Sequence, residues 1–398
     1  MNMYDSGNSL RIMQIAEIWM PIGPDITYGG VQRVIRYLDR EYVKRGHVSI
    51  VAAPADCQVE GCLFSTIEES KWKRYDGFRE HVEAKEELER HCRMIIDFLT
   101  GRDDTGSVKR VDIIHSHTGF ISSHEYRKRG GEINIPILKT LHWPYNPENK
   151  EEYEYWRRLQ NDRKIFFNAI SNAQKRNFER CIEVCDVIYH GIPLEEFPFE
   201  NSKSDYLFCF GNIRPIKGTH IAIEVAKRTD MRLIIGGEIY TTNKRYYEEM
   251  IKPHVDGDQI QFIGPLTDIE KVEWYKRAKA LLMPIQFDEP FGLVMIEAMA
   301  CGTPVIAFGR GSVPEIIKDE ETGFVIYPSG NEEQDIREMI NAVKRVESIK
   351  PRKCREHVEE NFSIEKEANA YLSLYRDLVQ NLAETLISVS YTNLTLPT

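Results

Sequence analysis

Residues 288–306 read DEPFGLVMIEAMACGTPVI, and the chemistry in this stretch lies in two glutamates, Glu289 and Glu297, with seven residues between them. Pro290 and Gly292 precede an apolar run that predicts a helix beginning at Leu293. The amides of Leu293 and Val294 then have no partner inside that helix and carry the positive end of its dipole. A phosphate suits such a place. Glu297 is the sole charged residue between Pro290 and Gly309, in a helix apolar on nearly every face. A carboxylate buried there must be hydrogen-bonded. Helical side chains lean toward the N-terminus, so Glu297 points back at the phosphate end, within reach of the hydroxyls of an adjoining sugar. The competing interpretation makes Glu297 the partner of a buried arginine and Glu289 a surface residue.

The elements that must position these groups alternate. Residues 10–19 predict a strand, followed by a loop ending in Tyr28-Gly29-Gly30 and a helix with apolar residues at 31, 34, 35, 38 and 42. Gly46 ends that helix before a strand at 48–52. Further strands are expected at 111–115, 136–142, 165–171 and 187–189, with a polar helix at 78–99. The pattern breaks at His190-Gly191-Ile192-Pro193, then restarts with strands at 206–210, 232–235, 260–263, 280–283, 305–308 and 324–326. This predicts an α/β fold of two doubly wound, Rossmann-like domains facing a cleft, and 398 residues suit two cores. The expected boundaries are 1–192 and 193–362, with a terminal helix at about 363–386. Residues 387–398 carry no charge and are expected to form a tail outside the native fold. Ligands of such sheets sit at the carboxyl ends of the strands, so the cleft is the expected site.

Composition narrows the function classes. With 42% hydrophobic and 29% charged residues and no low-complexity run, the chain is neither disordered nor fibrous. Its net charge, 52 − 62 = −10, repels phosphate polymers, which argues against a nucleic-acid partner. Arg11 and Glu17 interrupt the first apolar stretch, so no signal peptide is expected, and glycines and prolines break the run 290–309 before it could span a bilayer. A cytoplasmic protein is expected. The eight cysteines form no CxxC pair and read as reduced thiols. Cys181, Cys185 and His190 fall short of the four ligands of a structural zinc site. Asp256-Gly257-Asp258 reads as a turn before a strand rather than a metal site. No metal is expected. His115 and His117 end a strand beside the cleft and read as satisfied polar residues ahead of metal or acceptor ligands. Lys71, Lys73, Arg74 and Arg127-Lys128-Arg129 read as solvated faces that could also steer a peripheral membrane contact.

The pair Glu289/Glu297 followed by AMACGTPVIA resembles the retaining glycosyltransferases of family 4, which have the GT-B fold. The resemblance covers nearly the whole chain. It includes Tyr28-Gly29-Gly30, DIIHSH at 112–117, TLH at 140–142, HGI at 190–192, FGNIRPIKG at 210–218 and a last helix, around Phe362 and Tyr375, that crosses back to the N-terminal domain. It implies a nucleotide-sugar donor, UDP-sugar favoured, with no other cofactor, and an acceptor hydroxyl held by the N-terminal domain. Glu297 would bind the ribose hydroxyls and Glu289 the transferred sugar. Lys217 would neutralise the diphosphate, with amides near Phe291, Gly292, Leu293 and Val294 and at Gly29-Gly30, and His142 would touch the sugar or acceptor. Family members place Arg where this chain has Asn212; Arg214, two positions on, is expected to take over that task.

The expected function is therefore metal-independent transfer of a sugar with retention of configuration. Two alternatives stand beside it: an inactive sugar-nucleotide-binding or scaffold protein, and a GT-B epimerase or phosphorylase. Acceptor identity is not encoded in any of these motifs.

Overall fold

The computed structural model describes residues 9–27, 29–71, 82–102 and 110–394. Tyr28, Lys73, Arg74 and residues 395–398 lie outside them, as does the expected start of the polar helix at 78.

Two parallel sheets form. The first contains Arg11–Ile15 (β1), Val48–Ala53 (β2), Cys62–Ser65 (β3), Ile113–Ser116 (β4), Ile137–Thr140 (β5), Ile165–Ala169 (β6) and Asp186–Val187 (β7), in the order β3-β2-β1-β4-β5-β6-β7. The second contains Tyr206–Phe210 (β8), Arg232–Gly236 (β9), Ile260–Gly264 (β10), Ala280–Met283 (β11), Val305–Phe308 (β12) and Gly323–Ile326 (β13), in the order β10-β9-β8-β11-β12-β13. Central strands such as β4, β11 and β12 are buried along their whole length, as expected of sheets covered by helices on both faces. The strand order reverses between β1 and β4 in one sheet and between β8 and β11 in the other. A ligand crevice belongs at the carboxyl end of each of these points.

The sequence expectations hold for every strand named above except β3, whose short Cys-Leu-Phe-Ser run has neither length nor clean alternation. The first strand is also shorter than expected, ending at Ile15.

The chain crosses between domains twice at one place. Ile192 pairs with Ser363: the Ile192 amide donates to the Phe362 carbonyl at 2.9 Å and the Ile364 amide to the Ile192 carbonyl at 3.0 Å. The helix Ile364–Leu394 then packs on the N-terminal domain, where Tyr375 meets Tyr42 and Tyr371 meets Asn168. This helix was expected to end near 386; it runs on to Leu394, because neither glycine nor proline stands between them to stop it.

One expectation about basic residues needs correction. Lys71 is not on a solvated face: it is buried and paired with Glu87 at 2.7 Å. Arg127 and Lys128 are exposed, with Arg127 over the Tyr155 ring at 3.7 Å, and the half-buried Arg129 pairs with Asp97 at 2.8 Å. Among the described residues no helix is long and apolar enough to cross a membrane.

Candidate functional site

The cleft is lined from both domains at the two switch points. Gly211, Asn212, Ile213 and Lys217 follow β8, Met283 ends β11, and Ile285 and Glu289 to Val294 follow it. Thr27, Gly30, Val31 and Arg33 come from the far wall, with His142 after β5 and His190 from the linker.

The glutamate-bearing helix spans Leu293–Ala300. Gly292 caps it at φ 86°, a left-handed conformation that leaves the first amides facing the cleft; a Cβ there would come within 2.6 Å of the Met295 methyl. Facing it is the start of the helix Gly30–Lys44, capped by Gly29 at φ 127°. A Cβ on Gly30 would lie only 3.6 Å from the Leu293 side chain. Two helix N-termini, one from each domain, therefore converge on one spot, and both favour an anion there.

Lys217 stands beside them. Its Nζ donates to Glu289 Oε2 at 3.0 Å, and the pair is partly open to the cleft. Pro215 begins a short 3-10 turn, Pro215–Lys217, that turns Lys217 to the cleft but leaves Arg214 exposed. The structure thus does not bring Arg214 among the lining residues, whereas Asn212 is buried in the cleft wall.

Glu297 is buried, and its partners are a lysine and a tyrosine rather than an arginine. Lys271 Nζ donates to Oε1 at 2.8 Å and the Tyr275 hydroxyl to Oε2 at 3.1 Å. Lys271 also reaches Asp268 at 2.9 Å, and Asp268 accepts from Arg33 Nε at 2.6 Å. Burial opposes charge on Asp268, but Lys271 and Arg33 outweigh it and hold its carboxyl below the usual range. Burial likewise lowers Arg33, but Asp268 and Glu297 more than offset it, and the guanidinium ends above its ordinary value. Each oxygen of Glu297 keeps a lone pair free of these bonds, so the carboxylate can accept further hydroxyl donors.

The opposite wall is a row of imidazoles. His117 Nδ1 and His142 Nε2 are 2.9 Å apart, so one nitrogen carries the proton and the other accepts it. His142 stacks on His190 with ring centres 5.4 Å apart. His190 Nδ1 donates to Glu367 Oε1 at 2.8 Å, and the Gly191 amide donates to the other oxygen of that carboxylate, also at 2.8 Å. Burial, then His117 and His190, push His142 well below the usual imidazole range, so it is neutral at pH 7. His115 is satisfied by Thr140 at 2.6 Å and Tyr375 at 2.5 Å and belongs to the packing of the last helix.

Among the described residues no three His, Cys, Asp or Glu side chains come together as metal ligands. Asp256 is a turn residue whose carboxylate accepts the amides of Asp258 and Ile260, both at 2.9 Å. Arg33, Asp268, Lys271, Tyr275 and Glu367 escaped the sequence reading. Arg33 lay three residues into a helix already known to start at the cleft, which is the one signal available; the others are ordinary helix residues until the fold brings them together.

Two family models tile the chain, Glycosyltransferase Family 4 over residues 28–196 and Glycosyl transferases group 1 over residues 194–361. A lipopolysaccharide core biosynthesis mannosyltransferase of Rhizobium meliloti is 29% identical over 223 residues, 49% of this chain and 61% of that protein. The match thus spans about three fifths of that relative's length. Sucrose-phosphate synthase from Thermosynechococcus elongatus matches 94% of this chain and 100% of its own, with a TM-score of 0.72 and 21% identity. Anabaena HepE matches 95% of this chain and 100% of its own, with a TM-score of 0.65 and 17% identity. At these identities the likeness shows the two-domain GT-B architecture.

Proposed function

The chain belongs to the group 1 glycosyltransferases of GT-B fold, and on that premise we propose that it moves a sugar from a nucleotide diphosphate to an acceptor hydroxyl, with retention of configuration and without a divalent metal. The observation that carries this is the convergence of two helix N-termini and Lys217 on one spot in the cleft. Breaking a glycosyl phosphate bond builds negative charge on the leaving diphosphate, and fixed amides and a cation in a water-poor cleft stabilise that charge as it forms.

The Lys217–Glu289 pair suggests the order of events. An entering diphosphate competes for Lys217 and releases Glu289 from it, and the freed carboxylate turns to the transferred sugar. Glu297 accepts from the ribose, and neutral His142 faces the sugar or acceptor from the other wall. In front-face attack the departing phosphate oxygen takes the acceptor proton as the new C–O bond forms on the side the phosphate leaves. A UDP-sugar is favoured because the fold neighbour HepE was solved with UDP and glucose, and a hexose is the expected sugar.

Incubating the full chain with UDP-, GDP-, ADP- and TDP-sugars tests this. One donor at a hundred times its dissociation constant should stabilise the protein by about 2.7 kcal/mol, and transfer or slow hydrolysis should continue in chelator. Abolition by chelator with recovery in manganese would remove metal independence. Asn212 in the cleft wall, where the family carries Arg, favours a second reading, a binding protein without turnover; donor-dependent stabilisation with neither transfer nor hydrolysis would select it.

A further inference from the structure

The carboxylate that the proposed reading assigns to the ribose is not held by its own domain alone. Arg33, on the Gly30–Lys44 helix of the N-terminal domain, reaches across to Asp268 Oδ1 at 2.6 Å. The same oxygen takes Lys271 at 2.9 Å, and Lys271 passes to Glu297 at 2.8 Å. All four side chains are at least nine-tenths buried. Four buried charges in series are costly, and apolar packing would hold two domains together at least as well, so such a chain fits a device that fixes one arrangement.

We propose that Arg33 is a positioning residue of the donor site, acting across the cleft through Asp268 and Lys271 on Glu297, so that the ribose carboxylate is set only when the two domains are closed. This rests on the assignment of Glu297 to the ribose. With Arg33 in place, Asp268 is balanced by two cations and Lys271 is shared between Asp268 and Glu297. With Arg33 withdrawn, Asp268 draws Lys271 harder, and Glu297 keeps only the Tyr275 hydroxyl in a dry pocket. An underpaired buried carboxylate tends to bind a proton and then accepts hydroxyl donors poorly. The second oxygen of Asp268, buried and without a partner among the described residues, leaves that side chain no other anchor to fall back on.

Calorimetric titration of the full-length chain with UDP tests the relay. Arg33→Met should weaken UDP by about tenfold, Arg33→Lys should recover part of the loss, and Arg33→Met should add less than about twofold on top of Glu297→Gln. Arg40→Met is the control: it breaks another ion pair of the same helix, to Glu196 at 2.6 Å, and should change UDP affinity less than about twofold. Should Arg33→Met not fold by circular dichroism, Arg33→Gln, which also removes the cation facing Asp268, replaces it with the same expected result. UDP affinity unchanged in folded Arg33→Met, an equal loss in Arg40→Met, or independent effects of Arg33→Met and Glu297→Gln would each overturn the relay while leaving the donor site standing. Unchanged affinity in Glu297→Gln, or a wild-type chain that binds none of UDP, GDP, ADP and TDP, would instead overturn the donor assignment and the relay with it.

Discussion

The two walls of the cleft are built in opposite ways. The wall of the C-terminal domain is largely local: Glu289, Gly292, the amides at Leu293 and Val294, and Glu297 all fall within one turn and one eight-residue helix, and Lys217 joins them from the turn after β8. The wall of the N-terminal domain is assembled from distant positions, with His117, His142, His190 and Glu367 joined by hydrogen bonds and stacking across some 250 residues of sequence. The first presents the two glutamates and oriented amides, the second a helix start at Gly30 beside stacked imidazoles. A wall of the first kind suits a constant ligand part such as a diphosphate; one of the second kind can be retuned by loops without disturbing it.

If the charged wall carries the chemistry, the largest loss should follow Lys217→Ala, about 10²–10³ in kcat. Arg214→Ala should cost less than about threefold, because its side chain stands outside the cleft. Comparable losses in both would make Arg214 part of the wall after all.

Next in size, the two glutamates should fail differently. Glu297→Gln should raise the donor KM roughly ten- to a hundredfold with kcat nearly unchanged, since a charged hydrogen bond to an unreacting ribose is lost. Glu289→Gln should lower kcat with little change in KM, its contact tightening as the sugar gains positive character. Steady-state kinetics with varied donor distinguish the two, and a KM effect in both would merge their roles.

The imidazole wall should show itself in stability against pH. His117 and His142 are held well below the ordinary value, by burial first and then by neighbouring histidines. Below about pH 6.5 the unfolded chain binds these protons and the folded chain does not, so stability falls with pH at up to about 1.4 kcal/mol per unit for each group. Melting curves from about pH 7.5 to pH 5 should therefore slope downward toward acid, and less steeply in His117→Gln. An identical slope in the variant would show that other groups carry it.

The smallest effect is expected from removing residues 388–398, a change in stability below about 1 kcal/mol with transfer intact. A larger loss would attach the end of the last helix to the imidazole wall that its earlier turns support.

What could be read from the sequence follows the same division. Most of the strands and the glutamate helix rest on periodicity and punctuation over ten to twenty residues, which a linear reading captures. The Lys217–Glu289 pair spans 72 residues, and the bond between Arg33 and Asp268 spans 235. Nothing in the residues around Arg33 announces that partner. Spacing puts Arg214 in the right turn, but which residue of that turn lines the cleft depends on the backbone path: Arg214 stands exposed just before the 3-10 turn that begins at Pro215, and Lys217 lines the cleft.

The double crossing at Ile192 and Ser363 has a consequence for synthesis. Tyr42, His115 and Asn168 are buried against Tyr371 and Tyr375, which leave the ribosome only after the whole second domain. The domain translated second is an uninterrupted insert between the two crossings and can complete its core first. The domain translated first must hold its polar interior half-covered until the final helix arrives, and in that interval its exposed sheet is the part of the nascent chain most in need of a chaperone.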